Sequence, residues 1–175
     1  MSYLVVAYPH MAKNDLAWID EYRKKHDQIY YKVIPPHITF VFGISSLPLK
    51  QFTAEIKKQL EGIRQIHFEL RLAVINRDLS GTFYHEFLVP ETGYHAIATL
   101  HDKLYSGKLA EHWRFDIDYI PHLGIGNNKS PQSVKQRVDI LNKKGIFIPG
   151  IIQMVDIIEY KEGIVTTLER IPLAE

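Results

Sequence analysis

Apolar positions along the chain switch repeatedly between a period of two and helical spacing, and the switches outline the elements. Residues 4–8 form an apolar run stopped by Pro9, which predicts a buried strand. Over 14–26 the spacing becomes helical, through Leu16, Ile19, Tyr22 or Arg23, and His26. Asn14 or Asp15 is the expected cap, and the basic end Arg23-Lys24-Lys25-His26 suits a helix C-terminus. Pro35-Pro36-His37-Ile38-Thr39-Phe40-Val41-Phe42-Gly43 then alternates, placing His37, Thr39 and Val41 on one face of a strand and Ile38, Phe40 and Phe42 on the other. The Ile-Phe-Phe face demands a core beneath it, which leaves an imidazole and a hydroxyl side by side on the opposite face.

A second helix is predicted over 48–61 from Phe52, Ile56 and Leu60, with Gly62 as its stop. Runs at 66–75 and 82–90 flank the turn formers of 76–81 and read as a hairpin or meander with a loop slightly longer than a tight turn. Ile97, Leu100 and Leu104 predict a third helix over 93–105. Residues 115–125 are expected to form a strand with Phe115, Ile117, Tyr119, Leu123 and Ile125 on one face and Asp116, Asp118, His122, Gly124 and Gly126 on the other. Ser130-Pro131 opens a fourth helix that Gly145 ends, and strands over 151–160 and 164–171 turn at 161–163. Helices and hairpins mixed without strict strand–helix–strand alternation predict an α+β fold with antiparallel sheet. The halves also repeat faintly: each offers a strand, a Pro-His strand, a helix and a closing strand pair. Duplicated lobes would make one bilobal unit with equivalent strands placed symmetrically about one cleft. Residues 1–175 are taken as one such unit.

The composition narrows the chemistry. At 46% apolar and 23% charged the chain is ordinary for a folded protein, and a formal net charge of +1 supplies no global field to attract nucleic acid. The absence of cysteine removes disulfides, thiolate metal sites and a cysteine nucleophile. The first residues lack the basic start and apolar length of a secretory leader, and no stretch has the ~18 apolar residues of a membrane span, so the expected location is cytoplasmic. No obligate protein partner is implied.

Nine histidines are present. His26, His95, His101 and His112 fall on or near helices among polar neighbours and read as solvated; His10, His67 and His85 sit near strand ends. His37 and His122 differ, because each follows a proline and occupies the non-core face of a strand. In-line cleavage of a phosphodiester needs a base on the attacking oxygen and an acid on the leaving oxygen, and imidazole can serve as either near neutrality. The Thr39 hydroxyl can donate to a non-bridging phosphate oxygen. Other chemistries fit less well. No carboxylate neighbours either histidine to suggest a metal site, and Asp118 would lie roughly 13 Å from His122 along a strand. There is no G-x-S-x-G turn and no phosphate-binding glycine-rich loop.

His37-Ile38-Thr39-Phe40 resembles the H-x-T-x signature of the two-histidine phosphoesterase superfamily, which includes 2′-5′ RNA ligase-like proteins and RNA cyclic phosphodiesterases. Ile120-Pro121-His122-Leu123-Gly124 stands where its second motif would be. The resemblance spans essentially the whole chain. It implies a bilobal, pseudo-duplicated α+β fold, two antiparallel sheets lining a central cleft with helices on the outside, and metal-independent, cofactor-free cleavage of 2′,3′-cyclic phosphates or 2′-5′ phosphodiesters at RNA ends or in small nucleotides. In it His37 and His122 are catalytic, His122 activating water and His37 protonating the leaving oxygen, while Thr39 holds the phosphate. The second motif departs from H-x-T/S-x at Gly124. The bare backbone at Gly124 and Gly126 can donate N–H instead; Tyr8, Tyr84, Tyr119 or Arg77 can fill the gap; or the protein binds a nucleotide without turning it over.

Overall fold

Each of the two Pro-His segments opens the edge strand of its own antiparallel sheet. The computed structural model describes residues 1–175, in the order β1 (Ser2–Ala7), β2 (His10–Met11), α1 (Lys13–His26), β3 (Ile38–Ile44), α2 (Leu49–Leu60), β4 (Ile66–Arg77), β5 (Tyr84–Thr92), α3 (Tyr94–Leu104), a 3-10 helix Gly107–His112, β6 (Leu123–Asn128), α4 (Pro131–Lys144), β7 (Ile148–Ile152), β8 (Met154–Lys161) and β9 (Ile164–Pro172). One sheet has the order β3-β1-β8-β9 and the other β2-β7-β4-β5-β6. The fold is α+β and bilobal.

The repeat is explicit in the topology. The unit β1–α1–β3 recurs as β5–α3–β6, with the first strand of each unit paired to its motif strand. The strand after α2, β4, pairs with β5, and the strand after α4 and β7, β8, pairs with β1. Each half therefore lends a closing strand to the sheet of the other half. The helices cross over as well, α1 packing on β6 and α3 on β3. A core cluster of 33 buried residues joins both sheets to the helices. No helix is long and apolar enough to cross a membrane.

Local chemistry explains the start of α4. Ser130 caps α4 by accepting the Ser133 N–H at 3.2 Å, and Pro131 takes the first helical position, where no N–H is needed. Helix α1 starts earlier than expected: Ala12 is its cap residue, so neither Asn14 nor Asp15 caps it, and Asp15 sits in the first turn where its charge suits the helix dipole.

Three expectations need correction. The strict alternation of β3 fails, because Val5 lies opposite Val41 and Val6 opposite Thr39, leaving Phe40 unpaired as a bulge. The extra residue shifts the faces: Phe40 and Val41 are both buried, and Phe42 turns to the cleft beside Thr39. The predicted strand over 115–125 exists only from Leu123 onward. Arg114 and Asp116 bond to each other and the Ile117 N–H closes a turn onto the Arg114 carbonyl, which leaves Phe115 89% exposed. The run 151–160 is two strands in different sheets, β7 and β8, parted at Gln153. Both are apolar, and periodicity does not show which sheet a strand joins.

Candidate active site

A cleft of about 650 Å3 is lined by residues of both motif segments, among them His37, Thr39, His122 and Gly124. The two histidines share a local geometry. The His37 Nδ1 lies 2.8 Å from the carbonyl of Pro35 and the His122 Nδ1 lies 2.6 Å from the carbonyl of Ile120, in both cases two residues back. A carbonyl only accepts, so each Nδ1 carries a proton, and Nε2 is left as the nitrogen that titrates. Both rings are half-buried, and burial lowers both pKa values to about 4. The carbonyl bonds oppose that shift; the Arg23 cation adds to it at His37, and charge on His37 and His85 adds to it at His122.

The match extends along the strands. In β6, Phe87 lies opposite Gly124 and Glu86 opposite Gly126, so Ile125 is an unpaired bulge. Ile125 stands three residues after His122, as Phe40 stands three after His37. The chain thus repeats a proline, an imidazole tied to a backbone carbonyl, a cleft-lining residue two positions on and a bulge.

The free edge of β3 is satisfied by aromatic side chains in place of a strand. Tyr119 donates its hydroxyl to the Thr39 carbonyl at 3.0 Å, His101 donates Nδ1–H to the Phe40 carbonyl at 2.7 Å, and the Tyr105 hydroxyl accepts the Phe42 N–H at 2.9 Å. Tyr119 and His101 stack with centroids 3.5 Å apart and planes 4° from parallel. His101 is only 3% exposed, so it is a buried strut and not the solvated residue expected from its helix. Its signal, a partner on another element, has no local trace in sequence. His95 is exposed as expected, whereas His26 and His112, read as solvated, are half-buried; His10 and His67 near their strand ends are exposed, and His85 is half-buried and lines the cleft.

β6 is held differently. Phe87 stacks on His122 with centroids 3.5 Å apart. Glu86, fully buried, accepts from the Tyr22 hydroxyl at 2.6 Å and from Arg137 Nε at 2.7 Å, tying α1 and α4 to the sheet. A Cβ at Gly126 would stand 2.7 Å from the Glu86 carboxylate, so packing accounts for that glycine. Gly124 is different: a Cβ there would meet nothing within 4 Å.

In the same cleft, Arg23 is 2% exposed and donates Nε and Nη2 to Asp27 Oδ2 at 3.0 and 2.9 Å and Nη2 to the Ile34 carbonyl at 2.9 Å. Asn127 of β6 donates to Asp27 Oδ1 at 2.6 Å, so this pair joins α1 to the second motif strand. The one hint of this role in the sequence is the Arg23–Asp27 spacing of about one helical turn. Of the residues considered for the gap at Gly124, Arg77 and Tyr119 line the cleft, while Tyr8 and Tyr84 do not. Tyr119 already spends its hydroxyl on Thr39, which leaves Arg77. Asp118, expected to be remote from His122, lines the same cleft because 115–122 is not extended strand. No group of three or more His, Asp or Glu is arranged to hold a metal ion.

A model of the 2′-5′ RNA ligase superfamily matches residues 11–164. A protein of Halalkalibacterium halodurans whose name proposes a phosphoesterase is 24% identical over 160 residues, covering 90% of this chain and 88% of that protein. Among solved structures, TT0787 of Thermus thermophilus is similar over 99% of this chain and 98% of its own, with 16% identity and a TM-score of 0.61. E. coli LigT in apo form is similar over 99% and 98%, with 15% identity and a TM-score of 0.58. LigT has also been solved with 3′-AMP and with ATP. At these identities the likeness to solved structures is one of fold.

Proposed function

Because the chain belongs to the 2′-5′ RNA ligase superfamily, we propose that it is a phosphoesterase that opens 2′,3′-cyclic phosphates or cleaves 2′-5′ phosphodiesters in RNA ends or small nucleotides, without a metal. The observation that carries this reading is the matched pair of imidazoles in one cleft, each with Nδ1 held by a carbonyl and Nε2 left to titrate. In the proposed reaction His122 Nε2 takes a proton from water as the water oxygen bonds to phosphorus. The bond from phosphorus to the leaving ribose oxygen breaks, and protonated His37 gives that oxygen its Nε2 proton. The product is an open phosphomonoester with a free hydroxyl. The Thr39 hydroxyl and the Gly124 N–H serve the non-bridging oxygens, where charge accumulates. The fold shared with LigT, which has been solved with nucleotides, supports a nucleotide ligand.

Binding without turnover is the second reading, and Gly124 favours it, since one motif offers no hydroxyl. Incubation with a nucleoside 2′,3′-cyclic phosphate in EDTA separates the two. Ring opening that is lost in His37→Ala and His122→Ala supports the enzyme; binding with no product supports the second reading; turnover that survives both substitutions rules out the acid–base pair.

A further inference from the structure

We infer that the cleft takes a nucleotide with a single phosphate group and excludes a longer nucleic-acid strand; this rests on the phosphoesterase reading of the same site. The charged side chains that line the cleft besides the histidines are Arg23, Arg77, Asp27, Asp78, Asp116 and Asp118, two cations against four carboxylates, and no lysine lines it. Arg23 is neutralised by Asp27 in a buried pair, so it offers no second phosphate a partner. Asp116 is paired with Arg114 at 2.6 Å, and Asp78 is committed to its own turn through Ser80, Thr82 and Phe83. Asp118 lines the cleft without such a commitment. Arg77, exposed, is then the one cation at the mouth that is free of a carboxylate.

A strand of RNA needs cations spaced along its backbone, and single-strand binding that engages four phosphates weakens with salt at a log–log slope of about −3. Once Asp27 and Asp116 are paired, this cleft offers one free arginine against the two carboxylates of Asp78 and Asp118. The remaining walls suit an uncharged remainder of the ligand: Tyr30, Phe42, Phe87 and Tyr119 supply aromatic surface, and Leu4 and Ile158 supply aliphatic surface. A cleft of about 650 Å3 lies within the ordinary range for small-molecule pockets.

The test compares a nucleoside 2′,3′-cyclic monophosphate with an octanucleotide ending in the same cyclic phosphate, measuring kcat/KM across a salt series. In parallel, calorimetry compares the 3′-monophosphate nucleotide with an octanucleotide ending in a 3′-phosphate, and this arm needs no turnover. The mononucleotide is expected to be the better ligand and substrate by about tenfold or more, with a salt slope no steeper than about −1 for its single phosphate. Asp118→Lys is expected to raise the octamer several-fold relative to the mononucleotide. An octamer that binds more tightly, with a slope of about −3 or steeper, overturns the inference and leaves the phosphoesterase reading standing. Mononucleotide binding without turnover by either substrate keeps the size class and removes the enzyme. Failure of both nucleotides to bind overturns both.

Discussion

In β3 the histidine is followed two residues later by a hydroxyl; in β6 it is followed by an α-carbon with open space around it. The backbones otherwise repeat, from the carbonyl two residues before each imidazole to the bulge three residues after it. Their supports do not. Tyr119, His101 and Tyr105 hold β3 by its free edge, whereas the second motif is held by Phe87 stacked on its histidine and by Glu86 bridging two helices. The geometry that sets a proton carrier is thus repeated, while the packing around it and the phosphate-facing group have diverged. On the proposed mechanism β3 is the half that grips the phosphate, and β6 is the half that supplies mainly a base.

The largest effect expected from breaking that asymmetry is at Thr39. Thr39→Ala removes the one side-chain hydroxyl of the pair and should lower kcat about a hundredfold, measured on a 2′,3′-cyclic nucleotide. A loss below about threefold would mean that another group holds the phosphate. Gly124→Ser tests the same contrast in reverse. The space at that α-carbon admits the side chain, and its φ lies outside the left-handed region, so the variant should fold and raise kcat about tenfold. Tyr119→Phe keeps the ring stacked on His101 and deletes the bond to the Thr39 carbonyl. It should lower kcat a few-fold and lower the unfolding free energy by about 1 kcal/mol, read from urea melts.

Protonation follows from the lowered pKa values. With both histidines at about 4 in the free cleft, the state with one proton on the pair thins out as pH rises. The kcat/KM should fall about tenfold per pH unit above roughly pH 5. Stability runs the other way. The fold favours the neutral rings, so their contribution is complete above the ordinary histidine pKa of ~6.5 and is lost as pH falls toward about 4. His37→Asn combined with His122→Asn should flatten that acid loss in urea melts compared at about pH 7 and about pH 4.5.

The motif residues were legible because their signal is local: a proline, a histidine and apolar neighbours at period two. The α+β class and the repeat were legible for the same reason, since helical and strand periods alternate in two similar sets. The bulges were not, because an extra residue such as Phe40 has no compositional mark and shows itself only against the paired strand β1. The roles of His101, Tyr119 and Arg23 were hidden for a related reason. His101 and Tyr119 act through partners 61 and 80 residues away, and the Arg23–Asp27 pair matters through Asn127, 100 residues from Asp27, while their own neighbours in sequence describe a helix face or a strand.

The central claim is that His37 and His122 act as one acid–base unit, and a double-mutant cycle tests it most directly. Opening of a nucleoside 2′,3′-cyclic phosphate in EDTA would be followed for His37→Ala, His122→Ala and the double variant. Each single change should cost about a thousandfold in kcat, and the double variant should cost about as much as either alone, because a unit missing one member has no further step to lose. Losses that multiply, or a single variant that keeps near-full activity, would contradict the account.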